Sequence, residues 1–315
     1  MRVTPKAQAE KFATKLISDP VKREQFLEFL FQDCEQTSLI CLSPETQNLP
    51  FETLEPFPQQ PSFIQRPKSK SEATKSPLHE QGAYYCLDYS SVLEALPLTA
   101  LKLHHPVVLD LCAAPGGKSL FAWRALQPSL LLSNEVTQSR VKMLISNIKR
   151  CGVKPVKILS QAPQKLVERL ESSVNVLLID APCTGQSLVA KKQSAPGAFS
   201  THQINGNAMR QRGIISSGGQ MLASGGYLLY TTCTYSREEN EDIIEWFLKK
   251  NDDFESVAVP ALLEFQSEFM KENCYRFWPD PQRGAGGFSC LLRRKGDAPE
   301  ALPDLTELPH VWANI

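Results

Sequence analysis

The chain has no net charge with which to attract a polyanion: 34 lysines and arginines balance 34 aspartates and glutamates over 315 residues. Whole-protein electrostatics therefore give no support to a nucleic-acid partner, and any such surface has to be local. Long apolar runs are also lacking. The longest clear ones, Val107-Val108-Leu109 and Val176-Leu177-Leu178-Ile179, are strand-sized. They fall far short of the roughly 20 residues that cross a bilayer, so no membrane span is expected. The amino terminus, MRVTPKAQAEKF, has neither the apolar stretch of a secretory signal nor the Arg- and Ser-rich look of a transit peptide. A cytoplasmic location is the default expectation, and a monomer is expected. Nine cysteines are an odd number and show no CxxC spacing, which argues against a disulfide framework and against a metal centre of paired ligands. No internal repeat is visible.

What is present is the makeup of an ordinary globular protein, 42% hydrophobic and 22% charged, long enough for one large domain and a smaller appendage. Thr4-Pro5 followed by Ala7, Phe12, Ala13 and Leu16 reads as a capped amphipathic helix. Asp19-Pro20 followed by Val21, Phe26, Leu27, Leu30 and Phe31 reads as a second. Together they predict a small helical module over residues 1–43. From Pro44 to Pro77 seven prolines stand among Gln, Ser, Lys and Glu with little periodicity, so residues 44–79 read as a linker. Its basic residues Arg66, Lys68, Lys70 and Lys75 could touch phosphates, but a solvated tether is the favoured reading.

From Val107 onward strand-like runs alternate with longer helical patterns: VVLDLC, SLLLSNE, VKIL, VNVLLID and GYLLYTT. That alternation predicts a doubly wound α/β domain over residues 80–295, with a mostly parallel sheet of seven strands covered on both faces. In such sheets ligands bind beyond the carboxyl ends of the strands, near the point where strand order reverses. The segment RFWPDPQRGAGGFSCLLRRK reads as a loop and a strand hairpin closing the sheet, and residues 296–315 as a Pro-rich surface tail.

The residues just after each strand carry the chemistry. The first strand runs through Asp110-Leu-Cys-Ala-Ala-Pro-Gly-Gly-Lys-Ser119 into a helix, where glycines allow close approach and the helix start offers free N–H donors. A phosphate loop needs GxxxxGK[ST], and Cys112 stands at its first glycine. A dinucleotide fingerprint needs GxGxxG, and only Gly116-Gly117 is present. S-adenosylmethionine remains. The second strand ends at Glu135, whose carboxylate can accept both ribose hydroxyls of a nucleoside; the competing reading is a helix-capping acid. Asp180-Ala-Pro-Cys183 and Tyr-Thr-Thr-Cys233 place two cysteines at neighbouring strand ends. A lone strand-end cysteine is usually a small buried apolar residue, but two beside a nucleoside site suit nucleophilic attack on an electron-poor ring. The other seven read as structural or as part of the glycine loop.

In order along the chain, DLCAAPGGKS, SNE with the spacing of Arg140, Asn147, Arg150 and Gly152, DAPCTG, YTTCTYSREENE and RFWPDPQRGAGGF resemble the Sun/Fmu (NSUN-type, RsmB/RsmF-like) RNA cytosine-5 methyltransferases. The resemblance covers roughly residues 80–295. It implies a Rossmann-like catalytic domain, S-adenosylmethionine as cofactor and RNA as partner, with ribosomal RNA preferred and tRNA second. It also implies Cys233 as nucleophile, Cys183 as helper in product release, Asp180 near N3 of the ring and Lys118 as the active-site lysine. By the same carry-over Cys112, Ala113, Ala114, Pro115, Gly116, Gly117 and Lys118 would line the methionine and ribose, with Glu135, Arg140 and Asp180 nearby. Gln161 stands where the family usually has an aspartate for adenine, and DAPCTGQSLVAKK departs from the usual continuation after the cysteine. Candidate phosphate contacts are Lys191, Lys192, Arg210, Arg212, Arg283, Arg293 and Arg294. Two competing readings are a methyltransferase acting on another substrate such as DNA cytosine, which would use a single cysteine, and an RNA-binding assembly factor that has lost turnover.

Overall fold

The computed structural model describes residues 5–43, 46 and 49–315. Two helices open the chain, α1 (Pro5–Leu16) and α2 (Pro20–Leu30). Asp19 caps α2: its Oδ1 accepts from the N–H groups of Val21 at 2.8 Å and Lys22 at 3.3 Å. Thr4, the expected cap of α1, lies outside the described residues.

A small antiparallel sheet follows, with β1 (Thr37–Cys41) between β2 (Ile64–Gln65) and β3 (Tyr84–Asp88). The helices α3 (Lys70–Lys75) and α4 (Pro77–Glu80) lie before β3. Residues 49–79 are therefore not the solvated tether that composition suggests. Arg66 is 7% exposed, donates to the Glu55 carbonyl at 3.2 Å, and stacks 4.0 Å from the Phe57 ring centroid. Lys68 and Lys70 pair with Glu52 and Glu35. The prolines punctuate turns between elements too short to leave a periodic signal, while Phe63 and Ile64 supply the burial.

After α5 (Tyr89–Ala95), strands and helices alternate: β4 (Val107–Asp110), α6 (Gly117–Leu126), β5 (Leu130–Asn134), α7 (Gln138–Arg150), β6 (Val156–Leu159), α8 (Pro163–Leu170), β7 (Val174–Asp180), α9 (Thr201–Met221), β8 (Leu222–Thr232) and α10 (Glu241–Lys250). The chain then adds β9 (Phe254–Ser256), β10 (Tyr275–Phe277), β11 (Gly287–Arg294) and β12 (Trp312–Asn314). The order is β10-β11-β8-β7-β4-β5-β6-β12, with β9 paired to β11. The five strands from β6 to β8 are parallel and the rest antiparallel.

Among the described residues the sheet has the expected parallel core with helices between its strands, but nine strands in place of seven. One extra strand, β12, comes from the segment expected to be a surface tail. It covers the edge of β6, while Leu305 and Leu308 are buried and Lys157 donates to the carbonyl of Leu305 at 2.9 Å and to that of Thr306. Pairing that edge removes a row of unsatisfied backbone groups.

Alternate residues of each central strand enter opposite cores, as the two-residue period requires. Val108, Val176 and Leu178 join Leu120, Phe121 and Leu144 on one face. Leu109, Leu177 and Ile179 join Leu166, Ile215 and Phe247 on the other. Strand order reverses between β4 and β7, which opens a crevice at the carboxyl ends of β4, β5, β7 and β8. The amino-terminal helices pack beside it, Phe26 meeting Tyr235 edge-on at 5.2 Å. No described helix is long and apolar enough to cross a membrane.

Candidate active site

Strands β7 and β8 run parallel with Asp180 opposite Thr231, so the turns that follow them emerge side by side. They bring Cys183 Sγ within 3.2 Å of Cys233 Sγ. Buried Glu239 ties the two turns together. It accepts from the Thr184 N–H at 2.9 Å, the Thr184 hydroxyl at 2.6 Å and the Ser236 hydroxyl at 2.7 Å. The Thr184 and Thr234 hydroxyls meet at 2.8 Å, and Gln211 donates to the Pro182 carbonyl at 2.9 Å. The thiols are therefore held by a network that would have to break for them to part.

The pair is polarised. A hydrogen bond from Cys183 lowers the Cys233 thiol, helped by Lys118 and Lys191, against burial and Asp180, which raise it. The same hydrogen bond and burial push Cys183 well above the usual thiol range. Cys233 is the group disposed to be a thiolate, and Cys183 is the one that keeps its proton. Cys34, Cys41, Cys274 and Cys290 are buried, with thiols pushed up chiefly by burial, in keeping with a packing role.

Lys118, in the first turn of α6, places its Nζ 2.9 Å from Asp180 Oδ1 and 2.7 Å from Glu94 Oε2. Desolvation opposes its charge, but the two acids prevail and hold it cationic. Asp180 Oδ1 also accepts from the Thr231 hydroxyl at 3.1 Å. Both contacts fall on one oxygen, which leaves Oδ2 for another group.

The glycine loop spans the end of β4 and the start of α6. Gly116 adopts φ +116°, a conformation side chains rarely accept, and no side chain caps the helix. Helix α7 grips the loop from outside, with Arg140 donating to the Ala114 carbonyl at 2.5 Å and Asn147 to that of Pro115 at 2.8 Å. Glu135 is 3% exposed; its Oε1 accepts from the Thr137 N–H at 2.9 Å and its Oε2 lies 3.1 Å from Arg140. Asn134 links the strand ends, donating to the carbonyls of Leu111 and Gln161 and accepting from the Gln161 N–H at 3.0 Å. Burial first, then Asp110, Asp180 and Glu135, push the Cys112 thiol well up, which marks the loop as an acidic environment.

The family model described as 16S rRNA methyltransferase RsmB/F matches residues 98–293. This chain belongs to that family. A protein named Ribosomal RNA small subunit methyltransferase F from Pectobacterium atrosepticum is 32% identical over 228 residues, which is 70% of this chain and 46% of that one. One of the same name from Serratia proteamaculans is 33% identical over 253 residues, covering 78% and 52%. The chain thus spans about half the length of the curated relatives it matches. Among solved structures, NSun6 from Pyrococcus horikoshii with SFG superposes with a TM-score of 0.76 at 18% identity, covering 92% of this chain and 98% of that one. A methyltransferase homolog protein from the same organism gives 0.72 at 19% identity, covering 93% and 100%. Both similarities concern the fold.

The RsmB/F family depends on S-adenosylmethionine, and the cradle fits that cofactor. Each Glu135 oxygen keeps a lone pair for a ribose hydroxyl, the uncapped start of α6 offers N–H donors, and the surrounding acids complement a sulfonium. When bound, the cofactor supplies an electrophilic methyl group.

The expected phosphate contacts scatter. Lys191 lies at the crevice, 3.4 Å from Asp88 and close enough to lower the Cys233 thiol. Lys192 instead donates to the Phe31 carbonyl, Arg212 stacks on Trp246, and Arg283 pairs with Glu264. Arg210 is exposed on α9. Arg293 and Arg294 fall at the opposite edge of the sheet, because β11 runs antiparallel to β8 and sets Arg293 against Tyr227. They do not face the crevice. Two acids escaped the sequence reading, Glu94 and Glu239. Glu239 lies inside the quoted YTTCTYSREENE run, but nothing local distinguishes a clamp from a surface acid.

Proposed function

We propose that this protein methylates carbon 5 of a cytosine in RNA, ribosomal RNA before tRNA, through a covalent adduct between Cys233 and carbon 6 of the ring. The observation that carries the reading is the polarised thiol pair, 3.2 Å between sulfurs, beside the Lys118–Asp180 pair at 2.9 Å. The relatives' names favour ribosomal RNA.

Carbon 5 of cytosine is too poor a nucleophile to take a methyl group unaided. Addition of the Cys233 thiolate to carbon 6 forms the C–S bond, breaks the π bond between carbons 5 and 6 and turns the ring into an enamine, the displaced electron pair passing to N3, which takes a proton from water. Asp180 bonds that edge through Oδ2, a role supported by Lys118 and Thr231 both meeting its other oxygen, and Lys118 offsets the carboxylate's charge. Once carbon 5 carries the methyl group its proton leaves to water, the ring double bond re-forms as the C–S pair returns to Cys233, and N3 gives up the proton it took. The protonated Cys183 donates to that departing sulfur, which stabilises the thiolate. A base stacked in a duplex hides carbon 6, so the target must be single-stranded or flipped out.

The test is to incubate Cys183→Ala with small-subunit ribosomal RNA and S-adenosylmethionine and resolve the products on a denaturing gel. A covalent protein–RNA band should accumulate, and additional replacement of Cys233 should abolish it. A band that persists without Cys233, or methyl found off carbon 5, refutes the proposal.

A further inference from the structure

We propose that Glu94 is a positioning residue for the chemistry in this crevice: it fixes the Lys118 ammonium so that Lys118 in turn holds the orientation of Asp180 beside the crevice thiols. The inference rests on reading the crevice as the cytosine-methylating site, and it assigns a role to a residue outside the motifs at the strand ends.

Glu94 lies near the end of α5, before the first parallel strand, and is 1% exposed. Charge runs outward from it. Side-chain exposure rises from 2% at Glu94 to 8% at Lys118 and 34% at Asp180, with Nζ of Lys118 bridging the two carboxylates at 2.7 and 2.9 Å. A structural ion pair needs one acid for one lysine. Asp180 already supplies it, so Glu94 is surplus to neutrality, and a carboxyl group buried this far costs stability that an apolar residue would not. The surroundings are shaped around it nonetheless. A Cβ on Gly287 of β11 would lie 2.1 Å from Glu94 Oε1 and 2.6 Å from the carbonyl of Thr232, the residue before Cys233. Burial, opposed by Lys118, holds the Glu94 carboxyl up at about 8.

The consequence for the site is geometric. An ammonium held from two sides cannot swing, so Lys118 stays on Asp180 Oδ1, leaves Oδ2 for the ring edge, and stays where it favours the Cys233 thiolate. With Glu94 removed, Lys118 keeps a single partner beside the partly exposed Asp180.

The experiment compares Glu94→Met, which keeps the volume without an acceptor, with Glu94→Gln, which keeps an acceptor without charge. The pH dependence of Cys233 alkylation by iodoacetamide is followed by peptide mass spectrometry, alongside kcat and KM for ribosomal RNA. The signs discriminate. Loss of whatever negative charge Glu94 carries leaves the Cys233 midpoint in place or moves it down, whereas loss of the lysine's anchor moves it up. The expectation for Met is an upward shift of about half a pH unit or more, with kcat reduced about tenfold and KM little changed. Gln should restore most of both. A Met midpoint that falls or stays put overturns the proposal, as does a folded Gln variant as impaired as Met. If Met does not fold, Glu94→Asp replaces it: the carboxyl group stays but the reach shortens, the same upward shift is expected, and wild-type behaviour overturns the inference. If the wild-type protein makes no 5-methylcytosine while the alkylation profiles shift as stated, the cytosine reading fails and the role of Glu94 stands.

Discussion

Cys183 Sγ and Cys233 Sγ lie 3.2 Å apart, and the hydrogen bond between them drives the two thiols in opposite directions, Cys183 up and Cys233 down. Alkylation near neutral pH should therefore modify Cys233 ahead of Cys183. Replacing Cys183 by Ala removes the donor and should move the Cys233 midpoint to higher pH. Serine, which still donates, should leave it low. Peptide-resolved alkylation rates across pH check this, and equal behaviour of the Ala and Ser variants would count against the donor assignment.

Glu135 is expected to account for much of the cofactor's affinity through charge-assisted bonds to the ribose. Glu135→Ala should weaken S-adenosylmethionine binding by about 1.5–3 kcal/mol, on the order of ten- to a hundredfold. Isothermal titration calorimetry of the folded variant measures it. Unchanged affinity would mean that Glu135 serves only its Thr137 and Arg140 contacts.

Asp110 is fully buried beneath the glycine loop, and burial raises its carboxyl from the usual 3.8 to about 7, despite a 2.7 Å bond from Ser119. The folded chain thus holds a proton that the unfolded chain has released between those values. Stability should be greatest below pH 4 as far as this group is concerned, and should decline as pH rises towards 7. Glu94 has the same sign over a window reaching about 8. Asp110→Asn should therefore flatten the decline without abolishing it, as read from denaturant unfolding at a series of pH values. An unaltered slope would exclude Asp110 as a source.

Arg66 joins the proline-rich segment to the rest of the protein, donating to the Glu55 carbonyl at 3.2 Å and the Gln282 carbonyl at 3.4 Å. Arg66→Ala should destabilise the fold by about 1–3 kcal/mol, since it takes the donor from two part-buried carbonyl contacts and removes a cation over an aromatic ring. Chemical denaturation should show a lower midpoint with an unchanged slope. A loss below about 0.5 kcal/mol would return residues 49–79 to the status of a surface tether.

The parallel core was legible from the sequence by itself, because strand periodicity and the turns that end each strand are local properties. VNVLLID and VKIL match β7 and β6 residue for residue, and the glycine loop, Glu135 and both crevice cysteines stand where strand ends were read. What only the tertiary structure decided depends on partners distant in sequence. Cys183 and Cys233 are fifty residues apart, and their contact follows from the parallel register of β7 and β8. Glu94 reads as an ordinary helical acid until α5 packs it against Lys118. The same holds for the tail strand β12 and for Arg293 and Arg294, whose side of the sheet is set by the antiparallel run of β11. Local pattern determines which segments become strands and where they end. Strand order, direction and burial determine which of those ends meet, and with them the opposite shifts of Cys183 and Cys233.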